Sequence, residues 1–309
     1  MITPASIARY LRGLEPNARI VPGLLSNPLA RTNWQSVGHD KLLARLPNPD
    51  AAHQTPNLDA LEPALESLLF DHAINVLVLN GGDGMNMLAR VFGSRGHPVR
   101  TLDKFLVRAR GSRFGSLPKR GVPLLAADDG ATLRYGYIFG SELVFNALTM
   151  YERFGQGYPG LARFLYEVAA GYTLRTEMWN RFGHLLDAPT TPLVIDDVTY
   201  PHYTSVVATT VPLQLVKGLV ATVHRMASPG GMNAVAVLPT DKGEVIRSIP
   251  RLMVGAPTPD VVYAPDVRHI IVHGSYTLDG ERFDRAHAAN AASAVNVIGT
   301  PRVVWGVWL

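Results

Sequence analysis

The sequence predicts an α/β amino-terminal domain built on a parallel sheet, followed by an antiparallel β-sandwich domain. Three observations carry this expectation. First, a run apolar on both faces, Ile74-Asn75-Val76-Leu77-Val78-Leu79, is broken by Gly81-Gly82-Asp83-Gly84 and followed by helical spacing over 85–92. A strand covered on both sides, then a glycine loop, then a helix is the order of an α/β nucleotide site. Second, from Gly121 onward short apolar stretches recur between turn residues, as in an antiparallel sandwich or barrel. Third, 28 glycines and 23 prolines in 309 residues supply the turns that such a domain needs.

Residues 19–25 read as a short strand that stops at Ser26-Asn27-Pro28. Weak helical spacing follows over 35–46, then a proline-containing loop over 46–50. Thr55-Pro56-Asn57 has the chemistry of a helix start, and Leu58, Leu61, Leu65, Leu68 and Leu69 then form one apolar stripe. A second helix is expected over 102–110, after Gly96-His97-Pro98. The glycine-rich stretch 111–121 marks the boundary, giving domains at 1–115 and 116–309. In the second domain, strands are expected at 122–126 and 133–139 around the turn Asp128-Asp129-Gly130. A helical insert is expected over 159–174, and further strands at 193–195, 205–210, 219–224, 234–238, 269–273 and 303–308.

Composition narrows the function classes. With 47% hydrophobic and 17% charged residues the chain can bury a core. The absence of cysteine excludes a disulfide framework, thiol catalysis and thiolate metal sites, and suits a reducing, cytoplasmic setting. A formal charge of +4 favours acidic partners such as nucleotides or anionic lipid headgroups. No dense Lys/Arg run with interleaved aromatics occurs, so no nucleic-acid partner is expected. No apolar run of about 18 residues suggests a membrane-spanning helix, and the first residues lack a signal-peptide core. The ten histidines show no metal-ligand spacing, and no Gly-x-Ser-x-Gly elbow is present. Lys104, Arg108, Arg110, Arg113, Lys119 and Arg120 usually mean a solvated face, with peripheral contact to an anionic membrane as the sharper alternative. Phe164, Leu165, Tyr166, Val168 and Leu174 pack a core or line a lipid cleft.

The glycine loop has its own chemistry. Three glycines let the backbone approach a polyphosphate closely, because no Cβ intervenes. Successive N–H groups make an anion-binding nest, and the dipole of the next helix adds to it. Asp83 repels bare phosphate oxygens, so its natural partners are Mg²⁺, a ribose hydroxyl or a backbone N–H. The bland alternative is a tight strand-to-helix turn without a ligand.

Asn80-Gly81-Gly82-Asp83-Gly84 resembles the Gly-Gly-Asp-Gly-Thr signature of the diacylglycerol kinase and sphingosine kinase superfamily, and more distantly of NAD kinases. Leu25-Ser26-Asn27-Pro28 is similar to that superfamily's first strand and Asn-Pro turn. His53-Gln54-Thr55 is similar to its short polar stretch, and Thr277-Leu278-Asp279-Gly280-Glu281 to its Leu-Asp-Gly-Glu motif. The four matches stand in the superfamily's order over roughly residues 20–300.

The resemblance implies ATP and Mg²⁺ as co-substrate and cofactor, with Asn27, Thr55, Gly81, Gly82, Asp83, Gly84 and Asn86 around the nucleotide and Asp83 toward the metal. It implies Asp279 as general base on a lipid hydroxyl and Glu281 as its support, the acceptor being diacylglycerol-like or sphingoid. Asp279-Gly280 also reads as a two-residue hairpin turn, and both roles can coexist. Oligomeric state stays open, a dimer included.

The sequence departs from the superfamily at Met85, where a threonine is expected, and the second motif, Pro-x-Gly-Thr-x-Asn, is missing downstream. Asn86-Met87-Leu88-Ala89-Arg90 is similar to the continuation of that second motif. The expectation is therefore a deletion of one helix and one strand, roughly 25 residues at ordinary element lengths, between Gly84 and Asn86. A catalytically degenerate relative that binds lipid or nucleotide is the alternative, and phosphorylation of a soluble dinucleotide is a third reading.

Overall fold

The computed structural model describes residues 76–79, 105–108, 120–154, 157–187, 191–213, 223–239, 241–253, 256, 258–285 and 294–308. The chain divides into two units, one of residues 1–122 with 302–309 and one of residues 123–301.

In the first unit, β1 (Val76–Leu79) lies parallel to β2 (Phe105–Arg108), with Val76 opposite Phe105 and Leu79 opposite Arg108. A parallel pair needs a crossover of a dozen or more residues, and residues 80–104 provide that length. The end of β14 (Ala294–Trp308) runs parallel to β2 on its other side, with Val307 opposite Val107. The strand expected near 74–79 is present. The helix expected over 102–110 is corrected: Phe105-Leu106-Val107 is strand. An aromatic and a branched residue in a short apolar run fit a pleated, covered surface better than a helix, and a parallel neighbour is there to receive it.

The second unit holds two antiparallel sheets and four α-helices among its described residues. In the first sheet β3 (Arg120–Asp128) pairs with β4 (Leu133–Gly136), and β14 pairs with β11 (His269–His273). β11 then pairs with β6 (Leu193–Ile195), and β6 with β7 (Val198–Tyr200). The second sheet runs in the order β10 (Val261–Val267), β9 (Met232–Val237), β8 (Ser205–Thr209), β5 (Ile138–Gly140), β12 (Tyr276–Leu278), β13 (Glu281–Phe283).

One apolar core joins these sheets. Leu125, Leu193, Ile270 and Val297 come from the first sheet, and Phe139, Val206, Ala234 and Tyr276 from the second, all buried in one cluster. Alternation along each strand explains it, since every second side chain points inward. Strands at 122–126, 193–195, 205–210, 234–238 and 269–273 match the expectation to within a few residues. The strand expected at 303–308 in the second domain is instead the end of β14, which begins nine residues earlier and finishes beside β2 of the first unit. Most of the strand expected at 219–224 lies outside the described residues.

The stretch expected as one strand over 133–139 divides at Tyr137. β4 pairs in the first sheet and β5 in the second, so the chain changes sheet at that residue.

The helices are α1 (Glu142–Glu152), α2 (Gly157–Leu174), α3 (Glu177–Phe182) and α4 (Lys242–Met253). α2 is the expected insert, longer by two residues at its start; α1, α3 and α4 were not expected. Thr176 caps α3, accepting the backbone N–H of Trp179 at 3.2 Å and donating to Glu167 Oε2 at 2.9 Å.

Candidate functional site

The outer face of the second sheet carries a cavity of about 440 Å³. β8 turns Val206 and Ala208 into the inter-sheet core, and Ser205 and Val207 the other way. β9 does the same, with Ala234 and Ala236 inward and Val235 and Val237 toward the cavity. Three helices close the space above. α1 contributes Leu143, Val144, Ala147, Leu148 and Tyr151, which one helix face presents at this spacing. α2 adds Leu161, Phe164, Leu165 and Val168, and α4 adds Val245, Ile246 and Ile249. Size and lining suit the alkyl part of an amphiphile.

Beside the cavity, Val168, Leu186 and Val245 continue into a buried cluster with Met150, Trp179 and Phe182. Tyr172 meets Trp179 edge-on at 5.5 Å between ring centres. Among the described residues Lys242 is the only charged one in the cavity wall, and its Nζ lies 2.5 Å from Asp187 Oδ1. Both ends of that pair are solvent-accessible, so it adds little stability, but it sets a cation at the cavity's wet edge.

The Asp-Gly segment is a two-residue hairpin between β12 and β13, with Leu278 opposite Glu281. Asp279 and Gly280 both have positive φ, 54° and 85°, as a type I′ turn requires. The Asp279 carboxylate is tied to the sheet change at Tyr137. Its Oδ1 accepts the backbone N–H of Tyr137 at 3.0 Å and of Ile138 at 2.9 Å, while Asp279 N–H donates to Ile138 O at 2.7 Å. A strand that leaves one ladder for another strands its N–H groups, and here a carboxylate takes them up.

Cross-strand partners share a face, so Tyr276, Leu278, Glu281 and Phe283 lie on the core side of the hairpin. Arg282 lies on the opposite side and donates to Thr149 Oγ1 of α1 at 3.2 Å. The hairpin therefore touches a helix of the cavity wall, whereas Asp279 and Glu281 are not among the wall residues.

A polar group surrounds the start of α1. Burial, the hydrogen bond from Ser275 N–H and the nearby charge of Asp284 act on Glu142, and the net effect raises its carboxyl above the usual range. Burial pushes the Tyr203 phenol up to about 12, the Glu142 charge adding to it. Ser275 Oγ donates to Asp284 Oδ1 at 3.3 Å and accepts Arg285 N–H at 3.0 Å.

Of the residues expected in the site, Asp279 and Glu281 are placed as above, on one hairpin. Asn27, Thr55, Gly81, Gly82, Asp83, Gly84 and Asn86 lie outside the described residues, as does the expected deletion beside them. Among the described residues, no group of three His, Asp or Glu could hold a metal ion. Nor is any helix among them long and apolar enough to cross a membrane. Of the five residues expected to pack a core or line a cleft, Phe164, Leu165 and Val168 line the cavity, whereas Tyr166 and Leu174 are corrected: they lie on the outer side of α2, 60% and 68% exposed. The α1 and α4 parts of the wall were not expected. The spacing of Leu143, Val144, Ala147, Leu148 and Tyr151 was the available signal.

No family model and no curated protein matches the sequence. Among solved structures, the chain is similar to a diacylglycerol kinase from Bacillus anthracis str. Sterne, with a TM-score of 0.46 and 10% identity over 85% of this chain and 90% of that one. Two further solved structures, provisionally assigned as diacylglycerol kinases of the same strain, each give a TM-score of 0.47. Their identities are 12% and 11%, and they cover 84% and 87% of this chain and 88% and 92% of their own. At such identities the likeness assigns neither an activity nor a substrate.

Proposed function

We propose that the chain is an ATP-dependent lipid kinase that transfers a γ-phosphoryl group to the hydroxyl of a diacylglycerol-like or sphingoid lipid. The observation that carries this reading is the cavity, whose described wall residues are aliphatic and aromatic apart from Ser205 and Lys242. A site built this way holds an alkyl chain and leaves the polar end of the ligand at the rim. The motif order described above supplies the nucleotide half of the reading, with Asn80 to Gly84 receiving the phosphates in an α/β domain of the NAD kinase and diacylglycerol kinase type.

In this reading the acceptor oxygen attacks the γ-phosphorus as the bond to the β–γ bridging oxygen breaks. ADP leaves and the hydroxyl proton passes to Asp279, with Glu281 in support. Positioning and charge neutralisation dominate such transfers, so a held carboxylate and a fixed acceptor are the main demands on this half of the protein. Mg²⁺ would supply charge neutralisation at the phosphates, with Asp83 as its proposed contact. Peripheral contact with an anionic membrane in the cytoplasm completes the reading.

One observation favours a second reading, a lipid-binding relative without transferase activity. Asp279 Oδ1 already accepts two backbone N–H groups, a purely structural task.

Purified chain with γ-labelled ATP, Mg²⁺ and a panel of lipid alcohols separates the two. The kinase reading expects label on at least one lipid and its loss in Asp83→Ala. No label on any acceptor, together with saturable binding of the same lipids, establishes the second reading instead. Including NAD in the panel tests the dinucleotide alternative.

A further inference from the structure

Helix α2 has apolar side chains on two faces. Phe164, Leu165 and Val168 line the cavity, while Tyr166 and Leu174 point outward, 60% and 68% exposed. They are the two most exposed large hydrophobic residues among those described, and Met178 at the start of α3 adds a third, 36% exposed. Arg163 stands one helical turn before Tyr166, Arg175 directly follows Leu174 and Arg181 stands one turn after Met178, all three exposed. On the acidic side, Glu167 is half-buried and accepts the Thr176 hydroxyl, which leaves Glu177 as the one exposed carboxylate of α2 and α3. Three exposed guanidinium groups against one carboxylate give the face a positive sign.

We propose that this outer face of α2 and the start of α3 rests on an anionic lipid bilayer. Aromatic and aliphatic side chains ringed by arginines suit the boundary between headgroups and acyl chains, where apolar burial and attraction to anionic lipid add. The placement also has a purpose. α2 is one of the three helices that close the cavity, so a lipid chain leaving a bilayer at this face would have one helix to pass. The inference deepens the reading above and rests on the cavity as an alkyl-chain site, but its test needs no nucleotide.

The experiment is co-sedimentation of the full chain with vesicles of phosphatidylglycerol and phosphatidylcholine, against vesicles of phosphatidylcholine alone. Binding is expected to favour the anionic vesicles. The double variant Tyr166→Ser/Leu174→Ser should lose roughly tenfold or more of it, since two buried apolar side chains are removed. Arg163→Gln should lose about fivefold at low salt. Leu133→Ser, which removes a side chain 48% exposed on β4, should bind as the wild type does. Circular dichroism establishes that the variants fold.

Equal binding to both vesicles, or wild-type binding by the folded double variant, overturns the proposal. So does a vesicle-free dimer that the double variant abolishes, because the face is then an interface between copies. Vesicle binding without phosphoryl transfer would leave this proposal standing and end the kinase reading. Transfer to a soluble short-chain alcohol by a chain that ignores vesicles would do the reverse.

Discussion

The carboxylate of Asp279 accepts the backbone N–H of Tyr137 at 3.0 Å, at the residue where the chain leaves one sheet for the other. The same oxygen takes the next N–H, from Ile138. Replacing Asp279 with Ala strands two part-buried donors and should cost about 1–3 kcal/mol, read from urea unfolding. Asn tolerates positive φ and keeps an acceptor oxygen, so Asp279→Asn should remain close to wild-type stability. That pair of variants separates structure from chemistry. If Asp279→Asn folds normally yet transfers no phosphate, the carboxylate acts as a base. If it keeps full activity, the residue is a sheet corner and nothing more.

Tyr137 itself is 4% exposed, and its hydroxyl has no hydrogen-bond partner among the described residues. Burial, with the charge of Asp279 adding, pushes its ionisation far above the usual phenol range. The neutral hydroxyl still carries a desolvation cost, so Tyr137→Phe should hold or raise the melting temperature, by up to about 1 kcal/mol of stability. A clear loss would mean that the hydroxyl is satisfied in solution.

Glu142 makes a pH signature. Its carboxyl is raised in the folded chain, chiefly by burial, so the native state keeps that proton longer than the unfolded state does. Stability therefore falls as pH rises through the window between the unfolded and the raised folded value, and the penalty is absent below both. Glu142→Gln should flatten the melting curve from the ordinary carboxylate range upward. Thermal unfolding across this range reads it directly, and an unchanged slope would remove Glu142 as the cause.

Asp129 gives the opposite sign. Burial would raise its carboxyl, but hydrogen bonds from Thr132 and Ala131 N–H, the Arg134 guanidinium at 2.6 Å and the Tyr276 hydroxyl outweigh it, and the net direction is down. Its contribution is present above the unfolded value and is lost as pH falls through the lowered folded one. Asp129→Asn should destabilise the chain near neutral pH, and its melting curve should converge with the wild type's in acid.

The cavity can be closed from within. Ala147→Phe places a ring among Leu143, Val144 and Tyr151 on the α1 face. Because it fills space rather than displacing packed atoms, the melting temperature should hold or rise. The shift produced by long-chain alcohols in the wild type should vanish. Persistence of that shift would place alkyl binding elsewhere.

Much of the second unit was legible. Leu193 to Ile195 and His269 to His273 are short apolar runs between turn residues, and both sit in the sheet where that pattern puts them. Asp279-Gly280 announced a hairpin because few dipeptides accept two positive φ values in succession. What it could not announce was its partner: Tyr137 lies 142 positions away in sequence. α4 was hidden for a local reason, since Pro250 inside it reads as a helix stop. Phe105 to Arg108 was not legible as strand because a four-residue strand depends on the neighbour it pairs with.

β14 belongs to both units. Its first residues complete a sheet of the second, and its last residues flank β2 in the first. A ribosome delivers β1 and β2 long before the strand that borders them. Until residues 302–308 emerge, the parallel pair keeps an open edge that other chains can extend. Truncation within β14 should therefore expose the amino-terminal unit to aggregation first.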